Sequence, residues 1–234
     1  MSWQLGVEAV LLDAGGVLLM PDPAAFRARL APFGVVPDDE RCHRAHYLGM
    51  GELDRLGAAD YPEADRAMAD FFGVAGAHVE AAAEAIQWVY VAAPYVPIDG
   101  VAVQLRRLHA AGLQLAIVSN ASGTVEAQLA GHRICGVGGG DCVQVATVID
   151  SHVVGVEKPD PAIFTFALDA LDLAASQCVY VGDSVHFDVN GARAAGIRPV
   201  HLSPYGSCVD DGHPHVRSLE AFVDQLLGPL DRRS

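Results

Sequence analysis

The chain is predicted to form a doubly wound, parallel α/β sheet that carries an all-helical insertion. Three observations predict this. Apolar runs at 7–12, 113–118, 143–149, 179–181 and 199–202 are nearly continuous in hydrophobic residues, as expected of strands covered on both faces. Helix-period segments at 101–111, 124–131, 161–173 and 188–195 alternate with the later runs, and Gly112 and Gly196 stand just past the first and last, where helices stop. The stretch 23–93 breaks the alternation: it holds no convincing strand and is bordered by Pro21 and Pro23 on one side and Pro94 and Pro97 on the other.

Taken in order, the first run closes at Asp13 and is followed by Ala14-Gly15-Gly16. The insertion divides into helices at 23–33, with Asp22 as cap, and at 38–55, 62–72 and 76–93. The predicted division is a core of residues 1–21 and 95–234 and a helical cap of 22–94 placed over the strand ends. The second core run closes at Ser119-Asn120, and the third at Asp150 after a loop at Gly138-Gly139-Gly140. Glu157-Lys158-Pro159-Asp160-Pro161 opens a helix, with proline well placed at its start. The fourth run closes at Gly182-Asp183-Ser184, with Asp188 five residues beyond Asp183. Ligands of such a sheet bind at the carboxyl ends of its strands.

Composition narrows the function. With 234 residues, 51% hydrophobic and 19% charged, the chain has apolar mass for a core and too little charge for disorder. The 29 acidic residues against 15 basic ones leave a formal charge of −14, and the largest basic clusters are Arg106-Arg107 and Arg232-Arg233. That balance argues against nucleic acid and against an anionic membrane surface as partners. The start of the chain shows no basic, leader-like segment, and 79–96 carries Glu80, Glu84 and Gln87 at amphipathic spacing, so a cytoplasmic location without a membrane span is expected. Cysteines 42, 135, 142, 178 and 208 form no CxxC pair, which predicts neither a disulfide framework nor a zinc site. Of the fifteen cationic side chains fourteen are arginine, and the lone lysine is Lys158. A compact ammonium is needed there if the position does chemistry that a planar guanidinium cannot. Nothing in the chain specifies an oligomeric state.

Each polar strand end has an equally natural structural reading as a turn or a helix cap. Their order is more informative. "LLDAGGVL", "AIVSNAS", "GVEKPDPAIF" and "YVGDSVHFDVNGARAAGI" place Asp, Ser, Lys and Asp in sequence, and together they resemble the four motifs of the haloacid dehalogenase-like superfamily. The 23–93 insertion resembles the helical cap that this family places after its first motif. The resemblance implies a Mg²⁺-dependent phosphatase acting on a small phosphorylated metabolite. Asp13 would be the nucleophile, forming an aspartyl-phosphate, and also a metal ligand. Ser119 and Asn120 would contact the phosphoryl group, and Lys158 would neutralise the nucleophile and the transferring group. The Gly15 carbonyl and Asp183 would complete the metal site, and Asp188 would order it.

One position departs from the pattern. Most family phosphatases carry a second aspartate two residues after the nucleophile, to protonate the leaving oxygen and later activate water; here that position is Gly15. Losing a positioned acid/base costs roughly 10²–10⁴ in rate. A 2-haloacid-type dehalogenase on the same fold needs no such acid, since halide leaves unprotonated, and is the first alternative. A catalytically silent binding or scaffold protein is the second. A phosphonate-cleaving relative would need a Schiff-base lysine from the cap, and the chain holds none outside position 158. His43, His46 and Tyr47 are cap candidates for the missing acid, with His43 and Tyr47 sharing a helix face. Their more ordinary reading is as surface or core positions of an amphipathic helix.

Overall fold

The computed structural model describes residues 4–57, 60–206, 208 and 212–229; Arg232 and Arg233 and both chain termini lie outside that set. The chain opens with β1 (Ala9–Leu12) and β2 (Leu19–Pro21), then four helices: α1 (Pro23–Leu30), α2 (Asp39–Leu56), α3 (Tyr61–Phe71) and α4 (Val79–Ala92). It returns through β3 (Tyr95–Pro97), α5 (Val101–Ala110), β4 (Gln114–Ser119) and α6 (Val125–Gly131). Three short strands follow, β5 (Cys135–Val137), β6 (Val143–Val145) and β7 (Thr147–Asp150), then helices α7 (Ser151–Val154) and α8 (Ala162–Leu171). The last elements are β8 (Cys178–Gly182), α9 (Asn190–Ala194), β9 (Arg198–Leu202), β10 (His215–Val216) and α10 (Leu219–Leu227).

The central sheet runs β10-β9-β8-β1-β4-β7, and every neighbouring pair is parallel. Strand period decides which side chains go where. Val10, Leu12, Val179 and Val181 face one helical layer with Leu105, Leu108 and Phe222. Ala9, Leu11 and Tyr180 face the other, with Ile163, Phe164 and Ala167. Leu12 lies level with Ile117 and Val181, so the chain segments after β1, β4 and β8 leave the sheet along one edge. That shared edge brings Asp13, Ser119 and Asp183 together.

The inserted helices carry their own core of Phe26, Leu30, Ala45, Phe72, Ile86 and Val89, with the Phe26 and Phe72 rings 5.8 Å apart. Each of the larger side chains among them stabilises by roughly 1.5–3 kcal/mol when buried. The insertion is hinged on β2 and β3, an antiparallel pair that the proline borders concealed. It is also tied to the sheet edge by Asp54 of α2, whose carboxylate accepts from Ser184 Oγ and from the backbone N–H groups of Val185 and His186 at 2.7–2.9 Å.

Two expectations needed adjustment. The single strand expected at 143–149 is two: β6 pairs with β5 in a separate small sheet, and only β7 joins the main one. The helix expected from 188 begins at Asn190, because residues 185–189 form a wider π turn that turns Asp188 inward. The chain end adds two elements beyond the expected set: the 2-residue β10, too short to show a period, and α10, whose Leu219, Phe222 and Val223 are buried at helical spacing. Among the described residues no helix is long and apolar enough to cross a membrane.

Candidate active site

Asp13 follows β1 directly, and its backbone N–H still donates to Val181, so the nucleophile candidate stands on the sheet itself. Its Oδ1 accepts from the Ala14 N–H at 2.7 Å, and its Oδ2 lies 2.9 Å from Lys158 Nζ. Lys158 is 2% exposed. Its ammonium donates to Asp188 Oδ1 at 2.7 Å and to the Tyr180 hydroxyl at 2.8 Å. The Tyr180 oxygen in turn sits 2.8 Å from Asp188 Oδ1 and 3.0 Å from the Val118 carbonyl, which share its one proton. Burial alone would lower the Lys158 pKa, but Asp13 and Asp188 outweigh it and hold the ammonium firmly charged.

Asp188 spends both oxygens on donors: Oδ1 on Lys158 and Tyr180, Oδ2 on the Asp183 and Ser184 backbone N–H groups. A Cβ at Gly182 would collide with this carboxylate, which explains glycine there. Asn120 is committed in the same way. Its side-chain amide donates to the Lys158 carbonyl at 3.0 Å and accepts from the Lys158 N–H at 2.8 Å, clamping the backbone that delivers the ammonium. Ser119 is buried and lines a cavity of about 150 Å³ with Asp13, Gly15, Lys158, Asp183 and Asp188.

His46 of α2 also enters this cavity. It is 5% exposed; its Nε2 donates to Asp183 Oδ2 at 2.8 Å and its Nδ1 faces the Tyr90 hydroxyl at 3.2 Å. Tyr47 donates to the Gly16 carbonyl at 2.7 Å, while His43, on the Tyr47 face, lines a separate cavity. Gly16 has φ +66°, and a Cβ there would strike Asp183 and crowd His46, so glycine is required for the backbone to pass. At Gly15 the opposite holds. Its φ is not in the left-handed region and nothing lies within 4 Å of a Cβ built there.

Asp13, Asp183 and Asp188 bring carboxylate oxygens within 4.8 Å of one another, and all three are buried. Burial, then the charges of Asp188 and Asp183, push the Asp13 pKa up to about 7 against the pull of Lys158. Three buried carboxylates, two of them paired with the one ammonium, form an all-oxygen cluster short of positive charge, which suits a hard divalent cation.

Sequence reasoning brought Asp13, Ser119, Lys158, Asp183 and Asp188 to one place, and the structure gathers them there. It missed Tyr180, whose only signal was a hydroxyl inside an otherwise apolar strand, a group that requires a buried partner. It also missed Asp54, which looks like any acid on an exposed helix face.

The chain matches the model of the haloacid dehalogenase-like hydrolase family over residues 7–196, and it belongs to that family. Phosphoglycolate phosphatase of Xanthomonas campestris pv. campestris is 33% identical over 131 residues, 54% of each chain. The matched stretches cover between about a third and about half of the curated relatives' length. A HAD phosphatase from Thermococcus onnurineus aligns over 95% of this chain and 99% of its own, with TM-score 0.57 and 22% identity. The 2-haloacid dehalogenase of Pseudomonas syringae pv. tomato DC3000 aligns over 94% and 98%, with TM-score 0.54 and 23% identity. Both likenesses concern the fold.

Proposed function

We propose that the protein is a phosphatase for a small monophosphate ester, using Asp13 as nucleophile. The observation that carries this reading is the buried set of Asp13, Asp183 and Asp188, with Lys158 paired to Asp13 and Asp188, a charge distribution suited to a divalent cation and a phosphoryl anion together. Asp13, Asp183 and the Gly15 carbonyl would hold Mg²⁺, with Asp188 orienting the Asp183 backbone. Bound there, Mg²⁺ would screen the repulsion between carboxylate and phosphoryl group. An Asp13 oxygen forms the bond to phosphorus as the ester P–O bond breaks, and Lys158 and Ser119 donate to phosphoryl oxygens. The leaving alkoxide would take its proton from His46 Nε2, which enters the same cavity as Gly15. The helical insertion serves as the cap that carries this proton donor.

The substrate's remainder has a recognisable chemistry. A second cavity of about 360 Å³ adjoins the first at Gly15, Tyr61, Ser119 and Asn120. Its walls include Tyr61, Tyr90, Tyr95, Gln128 and Glu157 and, among the described residues, no Lys, Arg or His. A carboxylate beside the phosphate would have no cation to meet there, so the preferred ester carries a neutral, hydroxyl-bearing or aromatic group. Assay of monophosphates with Mg²⁺ tests this: neutral alcohol phosphates should turn over faster than carboxylate-bearing ones, and the reverse order would refute the assignment. His46→Gln should slow alkyl phosphates far more than an activated aryl phosphate, because only the former need a proton on leaving.

Gly15 keeps one other reading open, since a haloacid dehalogenase also dispenses with the second aspartate. Halide release from a 2-haloacid without added metal, in the absence of phosphatase turnover, would favour it.

A further inference from the structure

Beyond Asp183, on the far side from Asp13, the structure assembles a cluster with quite different chemistry. β10 lies parallel to β9 with His215 beside His201, so the two imidazoles are cross-strand neighbours with ring centroids 5.3 Å apart. His213 precedes β10 by a single proline and its ring lies tilted against that of His215, centroids 4.4 Å apart. Cys208, from the crossing between the strands, places its Sγ 3.8 Å from His213 Nε2. One donor atom from each of His201, Cys208, His213 and His215 lies within 4.8 Å of all the others.

The tautomer of His201 is set by the backbone. Its Nε2 lies 3.1 Å from the Asp183 carbonyl oxygen, which can only accept, so Nε2 carries the hydrogen. The lone pair of neutral His201 is then on Nδ1, which points at His213 Nε2 across 3.2 Å. An imidazole whose far N–H is anchored on a carbonyl is the arrangement that orients a histidine ligand toward a metal.

We propose that His201, Cys208, His213 and His215 form a binding site for a divalent transition metal of the zinc class, separate from the carboxylate site. The spacing fits: bond lengths of about 2.0–2.1 Å to nitrogen and 2.3 Å to sulfur at tetrahedral angles put nitrogens about 3.3 Å apart and nitrogen from sulfur about 3.6 Å. The nitrogen and sulfur donors favour such a metal over Mg²⁺, which prefers oxygen. On binding, the Cys208 thiol gives its proton to solvent and the His213 hydrogen moves from Nε2 to Nδ1, leaving both donor lone pairs for the metal. His201 and His213 are buried and His215 is exposed, so the ion has an anchored floor and an open side for entry. Because His201 also holds the Asp183 carbonyl, the metal braces the strand end that delivers Asp183 without touching its carboxylate.

The test uses the metal-stripped full chain. Zn²⁺ should raise its Tm by several degrees at one equivalent in the presence of excess Mg²⁺. Co²⁺ should give the intense visible bands of a tetrahedral site together with a thiolate charge-transfer band. Cys208→Ser should abolish the charge-transfer band, and His215→Gln, at an exposed position where the fold tolerates change, should weaken binding at least tenfold. Asp183→Asn, which keeps its carbonyl, should leave the cobalt spectrum unchanged. A wild-type spectrum without a thiolate band would overturn the proposal, as would zinc and cobalt responses in His215→Gln equal to those of wild type.

Discussion

Two clusters meet at Asp183 and use different parts of it. Its carboxylate faces Asp13 and His46, whereas its carbonyl faces His201. The first cluster is all oxygen around one buried ammonium, assembled from segments separated by up to 175 positions, from Asp13 at the end of β1 to Asp188 in the π turn. The second is nitrogen and sulfur, drawn from fifteen positions, 201–215. In the first, burial raises the cost of charge until a hard cation is favoured; in the second, a single carbonyl fixes a tautomer and turns lone pairs inward. Neighbouring sites can therefore select different ligands while sharing one residue, because hardness is set by donor type and not by location.

The largest expected effect separates charge from shape in the first cluster. Lys158→Arg keeps the charge, but the guanidinium cannot fit among Asp13, Asp188 and Tyr180, all within 2.9 Å of the ammonium. Turnover should fall by about 10³-fold, with overpacking costing about 1–3 kcal/mol of stability. Near-wild-type activity would mean that the lone lysine is an accident of composition.

Gly15→Asp adds an oxygen donor and a proton carrier to the same side, where the backbone accepts a side chain. Alkyl phosphate turnover should rise by at least about tenfold, within the range of general acid catalysis. Wild type should also show a burst with an activated aryl phosphate, since no carboxylate drives water onto the phosphoenzyme. A folded variant that gains nothing, alongside a wild type without a burst, would count against a phosphatase limited by the carboxylate missing at Gly15.

Asp183→Asn splits the shared residue. It removes a carboxylate from the first cluster and leaves the carbonyl that serves the second. The stabilisation by Mg²⁺, about 2.7 kcal/mol at about a hundredfold excess over Kd, should largely vanish in calorimetry while the Zn²⁺ shift persists. Equal loss of both shifts would show that the clusters are one unit.

The smallest effect calibrates burial. Asp65, on α3 away from both clusters, is pushed up to about 7 by burial alone, whereas Asp13 reaches a similar value with burial, two like charges and one lysine acting together. A folded pKa above the unfolded one means stability that is full below about pH 4 and lost as pH rises through about 7. Asp65→Asn should therefore match wild type in Tm near pH 4 and exceed it at pH 8. A pH-independent difference would show that Asp65 is not buried in its charged form.

The parallel sheet was legible because strand period is local. The Asp13, Ser119, Lys158 and Asp183 set was legible from the order of its four motifs and their family resemblance, since each residue alone reads equally well as a turn or a cap. Asn120 was legible as a site residue, but its clamp on Lys158 was not, since an amide after a strand carries no mark of its partner. His46 and Tyr47 stood out as candidates on a predicted helix. Only packing of α2 against the sheet edge turned His46 toward Asp183 and Tyr47 toward Gly16. Cysteine spacing argued against a zinc site because it counts pairs within one segment. The His201–His215 neighbourhood arises from strand register, which a 2-residue strand such as β10 does not announce.

What the sequence determined by itself was the alternation of strand and helix, the position of the insertion and the identity of the side chains at the strand ends. These follow from periodicity and from residue type, which act over a few neighbours. Only the tertiary structure decided how Asp188 is turned inward by a π turn, how Tyr180 and Asn120 hold Lys158, and how His201, Cys208, His213 and His215 converge. Those arrangements depend on the parallel register of β1, β8, β9 and β10 and on burial in a shared interior, and no stretch of chain encodes either one alone.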